Sequence, residues 1–223
     1  MIKYCLPIIK NSKKEVLKDL AIKGYDFYEV WLDYIEDIDE VFIQNLINKL
    51  KEKLILVLRR KNLEKEKISK VQSLEIISLL KNSQSKVDLD INGQKDQLNF
   101  IKAGNLNVNT IVSYHDYEET PDDSNLREII DTMKIYNPGI FKVATKCNSP
   151  KDALRLLGLL LAMKEKGVKT IVLGMGELGV ITRIFGTIWG NEMIFAPKNI
   201  AESSAFGQLT RKQLETIFTV LEK

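Results

Sequence analysis

The sequence predicts an α/β protein built as a (β/α)8 TIM barrel, and three observations carry that prediction. Eight short apolar runs recur along the 223 residues, near positions 2–9, 26–32, 54–58, 86–91, 110–114, 139–145, 170–175 and 192–195. Segments with apolar residues at three- and four-residue spacing separate them, as in Leu154, Leu157 and Leu161, or Leu214, Ile217 and Leu221. Eight strand–helix repeats use the whole chain, so a closed parallel barrel leaves nothing over. The doubly wound open sheet is the alternative. It usually carries a glycine-rich first turn, and none follows Ile9.

Residues 1–223 are read as one catalytic domain, at the small end of the range for this fold. No linker, repeat or low-complexity tract divides the chain. Helix starts are marked by Asn11 and Ser12 before a Lys/Glu-rich segment, and by Ser149-Pro150 before the longest helix. Apolar residues make up 44% and charged residues 28%, the composition of a soluble globular protein. Net charge is only +3, which argues against nucleic acid as a partner. The Lys-rich stretch over 59–70 is interrupted by acids and has no interleaved aromatics, so it reads as a solvated loop.

Cys5 and Cys147 show no metal-ligand or redox spacing and read as buried, reduced thiols. The N-terminal run lacks the basic and cleavage features of a signal peptide. The most apolar stretch, near 154–163, is too short to span a membrane. A cytoplasmic location without membrane association is the expectation.

In such a barrel, chemistry collects where strands run into their following loops. Taken in order, the second strand offers Glu29 and Asp33, and the third ends in Arg59. The fourth carries Asp88 and Asp90, and the fifth runs into His115 and Asp116. The sixth holds Lys142 between Phe141 and Val143. Arg183 follows the seventh strand, and Ser204 and Gln208 follow the eighth.

Lys142 is the strongest of these signals. Desolvation in an apolar strand favours a neutral amine, and a neutral amine attacks carbonyl carbon. Its strand alone leaves two readings open, Schiff-base catalysis or a lysine that snorkels out or pairs with a carboxylate. His115, the one histidine, suits proton transfer near neutral pH, or else holds a backbone carbonyl. Arg59 and Arg183 can each hold a carboxylate in bidentate fashion, or simply pair on the surface. Strand alternation places Glu29 on the same face as Trp31 and Asp33, with Arg59 on the adjacent strand a natural partner. Gly174, Gly176 and Gly179 complete no nucleotide fingerprint and read as a flexible strand-to-helix loop, with a phosphate site the alternative.

Five ordered segments resemble the type I 3-dehydroquinate dehydratases. Val87-Asp-Leu-Asp-Ile91 followed by Ile111-Val-Ser-Tyr-His-Asp116 is similar to the family signature, with Thr110 where an aliphatic residue is expected. Phe141-Lys-Val-Ala144 resembles the Schiff-base strand. Gly179-Val-Ile-Thr-Arg183 resembles the carboxylate-binding loop, and Ser204-Ala-Phe-Gly-Gln208 a substrate loop.

The resemblance implies that Lys142 forms an imine with 3-dehydroquinate and His115 shuttles protons. Arg183 would hold the carboxylate, while Glu29, Arg59, Ser204 and Gln208 bind the rest of the substrate. It implies a shikimate-pathway lyase and a homodimer, needing no metal or organic cofactor. Two departures stand out. Trp31 occupies a position where the family usually has an arginine, and the loop after Arg59 lacks the family's glycine, with Glu64 the nearest candidate for its glutamate. A class I aldolase shares the barrel and the imine lysine, but Arg183, Ser204 and Gln208 suit a carboxylated cyclic polyol better than a sugar phosphate. A non-catalytic homologue would account for Trp31 and the altered loop, but not for retaining both Lys142 and His115.

Overall fold

The computed structural model describes residues 1–58 and 67–221. Among them eight parallel strands run β1 (Tyr4–Ile8), β2 (Phe27–Trp31), β3 (Leu54–Val57), β4 (Lys86–Asp90), β5 (Asn109–Asp116), β6 (Ile140–Lys146), β7 (Thr170–Met175) and β8 (Ile194–Phe195). The helices between and after them are α1 (Lys13–Leu20), α2 (Glu40–Leu50), α3 (Lys70–Leu79), α4 (Lys95–Ala103), α5 (Asp123–Lys134), α6 (Pro150–Glu165), α7 (Val180–Trp189) and α8 (Arg211–Leu221). Neighbouring strands pair in chain order from β1 to β7, and β8 pairs with β1. The predicted (β/α)8 barrel is the observed fold.

Helix starts follow the expected chemistry. The Ser12 hydroxyl accepts the Glu15 backbone N–H at the start of α1. Pro150 opens α6, where the Asp152 carboxylate accepts the Ser149 backbone N–H at 2.8 Å. Cys5 and Cys147 are buried free thiols, as read. No helix among the described residues is long and apolar enough to cross a membrane.

Strand alternation separates two apolar layers. The larger packs the outer strand faces against the helices and includes Phe141 and Val143 of β6. The smaller fills the barrel interior with Cys5, Ile55, Ile111, Ile140, Ile171, Met193 and Phe195, among others. The charged side chains of Asp88, Asp90 and Lys142 enter the interior above this plug, nearer the strand C-termini.

The seam between β7 and β8 closes differently from the other strand pairs. The Glu192 N–H donates to Thr170 O at 2.9 Å. Next to it the Asn191 side chain imitates a strand. Its Oδ1 accepts the Val172 N–H at 2.7 Å and its Nδ2 donates to Val172 O at 3.0 Å. Buried backbone groups must be paired, so this amide completes the ring where β8 is only two residues long.

Asp33, grouped with the strand-end polar residues by sequence, has a structural role. Its Oδ1 accepts the backbone N–H groups of Lys67 and Ile68, each at 2.8 Å. Most of the Lys-rich stretch, with Arg59 and Glu64, lies outside the described residues.

An Asn191→Ala substitution strips both Val172 backbone groups of their partners. It should cost roughly 2–3 kcal/mol and lower the melting temperature by roughly 5–10 °C in a thermal unfolding scan.

Candidate active site

β6 pairs with β5 so that Lys142 lies opposite Ser113, and Ala144 opposite His115. Lys142 faces inward, where its Nζ lies 2.5 Å from Asp88 Oδ2 and 3.6 Å from Glu29 Oε1. All three side chains are buried. The ring of Phe195 lies 4.6 Å from the same Nζ, offering its π face to the cation. Lys142 is therefore held as an ion pair and does not sit in the purely apolar setting its strand neighbours suggested. Burial alone would raise the Asp88 carboxyl, but the nearby Lys142 and His115 charges outweigh it and hold its pKa below the usual carboxylate value.

His115 lies near the end of the neighbouring strand β5. Its Nδ1 lies 3.0 Å from Asp90 Oδ2, which also accepts the His115 backbone N–H at 3.1 Å. The other Asp90 oxygen accepts the backbone N–H groups of Asn92 and Gly93. Burial works against this carboxylate, yet the bonds from His115 and those N–H groups keep its pKa low. An ionised Asp90 accepts from Nδ1–H, and this assigns Nε2 as the basic nitrogen of the ring.

Arg183 sits in the first turn of α7 and is 1% exposed. The glycine-rich segment before it is tightly packed, not flexible. A Cβ on Gly179 would fall 2.3 Å from the Gly174 carbonyl carbon, and one on Gly174 would fall 2.7 Å from Cys147 Sγ. Thr182 fastens the turn by accepting the Gly174 N–H and donating to Gly179 O, each at 2.7 Å. This close approach fixes where Arg183 begins. Its Nε and Nη1 are buried without a hydrogen-bond partner among the described residues. Burial pushes the guanidinium pKa down to about 10.

Ser204 and Gln208, from the β8–α8 loop, brace each other. Gln208 Nε2 donates to Ser204 Oγ at 2.8 Å, and the Ser204 N–H donates to Gln208 Oε1 at 2.9 Å. Gly207, at φ +85°, packs this loop against Gly176 O. One small cavity, of about 40 Å³, is lined by Glu29, His115, Lys142, Arg183, Ser204 and Gln208. Every predicted site residue in the described part of the chain is thus brought together.

A model of the family described as type I 3-dehydroquinase matches residues 4–223. The chain belongs to the type I 3-dehydroquinase family. A 3-dehydroquinate dehydratase from Methanococcus maripaludis is 31% identical over 229 residues, which cover 98% of this chain and 99% of that one. One from Coxiella burnetii is 29% identical over 218 residues, covering 97% and 92%. The solved 3-dehydroquinate dehydratase of Geobacillus kaustophilus shares the fold, with a TM-score of 0.82 at 24% identity, covering 100% of this chain and 91% of that one.

For this 3-dehydroquinase family member, sequence reasoning gave no role to Asp88, Asp90 or Phe195. The first two had a signal, since alternation within Val87-Asp-Leu-Asp-Ile91 puts both carboxylates on one strand face. Phe195 had none beyond a short apolar run.

The two nitrogens without a partner among the described residues make Arg183 costly to bury. A lowering from the ordinary guanidinium value to about 10 corresponds to roughly 3 kcal/mol of unfavourable burial. Because the folded-state pKa is the lower one, that cost is in force below about pH 10 and falls away as pH rises above it. Arg183→Met should therefore raise the melting temperature at pH 7, read by calorimetry.

Proposed function

We propose that this chain is a hydro-lyase converting 3-dehydroquinate to 3-dehydroshikimate through a Schiff base on Lys142. The observation that carries the proposal is one pocket joining a buried lysine between carboxylates, an Asp90-oriented histidine and an arginine with unpartnered donors. A lysine clamped between two carboxylates suits imine chemistry for an electrostatic reason. The protonated imine keeps a positive charge where the ammonium stood, so Asp88 and Glu29 remain its counter-ions throughout.

Arg183 would take the substrate carboxylate on its Nε and Nη1, and the opposite side of the ring would then reach Lys142. Lys142 passes a proton to the adjacent Glu29 carboxylate, the freed amine adds to the ketone carbon, and return of that proton lets water leave to give the iminium. This electron sink acidifies the adjacent C–H bond. His115 Nε2 takes that proton, leaving an enamine. The enamine pair returns to expel the β-hydroxyl, which leaves as water on receiving the proton from His115. Hydrolysis of the remaining imine releases the product and frees Lys142. One water is lost in net terms, matching a dehydration. Glu29, Arg59, Ser204 and Gln208 are assigned to the substrate's hydroxyl and carboxylate edges. The same reading places the chain in the shikimate pathway as a cytoplasmic homodimer acting on a small molecule without a cofactor.

Borohydride added during turnover should trap a substrate adduct on Lys142, located by peptide mass spectrometry. Lys142→Ala should abolish both trapping and turnover. His115→Ala should still trap while turnover drops by roughly 10²–10⁴-fold. An adduct that persists in Lys142→Ala would remove the assignment.

A further inference from the structure

We propose that Trp31 is a specificity-determining positioning residue, which fixes the Glu29 carboxylate for one ring hydroxyl of the substrate. The inference rests on the dehydratase reading above. Trp31 ends β2 two residues after Glu29, so alternation turns both side chains into the barrel. Its indole Nε1–H donates to Glu29 Oε2 at 2.9 Å, with both residues buried. The other oxygen, Oε1, is the one near Lys142. Each Glu29 oxygen thus has a different neighbour, and rotation about the last side-chain bond is stopped.

The indole is itself held. It meets the Tyr34 ring edge-on, with centroids 6.2 Å apart and planes at 73°. Tyr34 belongs to the short 3-10 turn directly after β2 (Leu32–Tyr34), so the support is continuous with the strand. Trp31 also lines the cavity beside Glu29.

Two properties of this donor matter for specificity. It is neutral, so it orients a carboxylate without adding a second cation beside Lys142. It is also rigid and apolar over most of its surface. A ring hydroxyl in register with the fixed carboxylate gains a charge-assisted hydrogen bond, while a hydroxyl displaced from it meets an indole face that offers no acceptor. Trp31 thereby acts on substrate choice through Glu29, not through the reacting atoms.

The test compares wild type with Trp31→Phe on 3-dehydroquinate and on its two deoxy analogues, each lacking one secondary ring hydroxyl. Trp31→Phe keeps an aromatic wall and removes the N–H. KM for 3-dehydroquinate should rise roughly ten-fold with kcat little changed, the pattern of lost uniform binding. For the analogue lacking the hydroxyl that Glu29 holds, the substitution should add no further penalty. An equal penalty on all three substrates, or none on any, overturns the inference. Absence of wild-type turnover instead overturns the dehydratase reading itself.

A second measurement does not depend on Trp31→Phe folding. The chain has two tryptophans, so Trp189→Phe leaves Trp31 as the sole indole emitter. In that background Glu29→Gln should shift the emission maximum. Superimposable spectra would show that the indole does not sense the carboxylate, and would overturn the proposal.

Discussion

The contact between Lys142 Nζ and Asp88 Oδ2, at 2.5 Å, spans from β6 to β4 across the inside of the barrel. Removing an ammonium from water costs several kcal/mol unless carboxylates accompany it. Two do so here, and the rest of the interior is arranged around that requirement. Below them the plug of Cys5, Ile55, Ile111, Ile140, Ile171 and Met193 is apolar, which excludes water and strengthens the pairing above it. At the upper edge the carboxylates are divided along one strand. Asp88 serves the lysine and Asp90, two residues on, serves the histidine. One alternating stretch of β4 therefore orients both groups proposed to do chemistry.

Arg183 sits on the opposite balance. Its burial leaves two guanidinium nitrogens without partners among the described residues, a cost that the apolar barrel must offset. The tight Gly174–Gly179 contact and the Thr182 bonds make this possible, because they fix the first turn of α7 regardless of what the guanidinium gains. Closure of the β7–β8 seam by Asn191 belongs to the same economy of structure. A two-residue β8 would leave Val172 exposed to unmet hydrogen bonds, and one side-chain amide meets them. Stability is thus supplied by the lower barrel and the outer helix layer, and strain is concentrated at the cavity.

Much of this was legible in the sequence, for identifiable reasons. Strand runs near 54–58 and 170–175 coincide with β3 and β7 because buried parallel strands are nearly continuous in apolar residues. Lys142 stood out as a charged residue inside an apolar strand, and His115 as the one histidine, at a strand end. Period-two alternation put Glu29 and Trp31 on one face, though the sequence pointed to Arg59 as the partner and not to the indole that donates to Glu29. Less legible were contacts between strands two apart. Nothing in local pattern says that Asp88 reaches Lys142, since that depends on barrel curvature and on which strand faces which across the interior. The glycines before Arg183 misled for a related reason. Glycine marks both flexible turns and close backbone approaches, and only the fold shows that Gly174 and Gly179 touch.

A crystal structure of the protein soaked with 3-dehydroshikimate tests the joint placement of lysine, histidine and arginine most directly. Continuous electron density should run from Lys142 Nζ to the ring carbon that bore the ketone, with the carboxylate on Arg183 Nε and Nη1 and His115 Nε2 facing the adjacent carbon. Product bound with an unmodified Lys142 still paired to Asp88, and its carboxylate away from Arg183, would contradict the Schiff-base site.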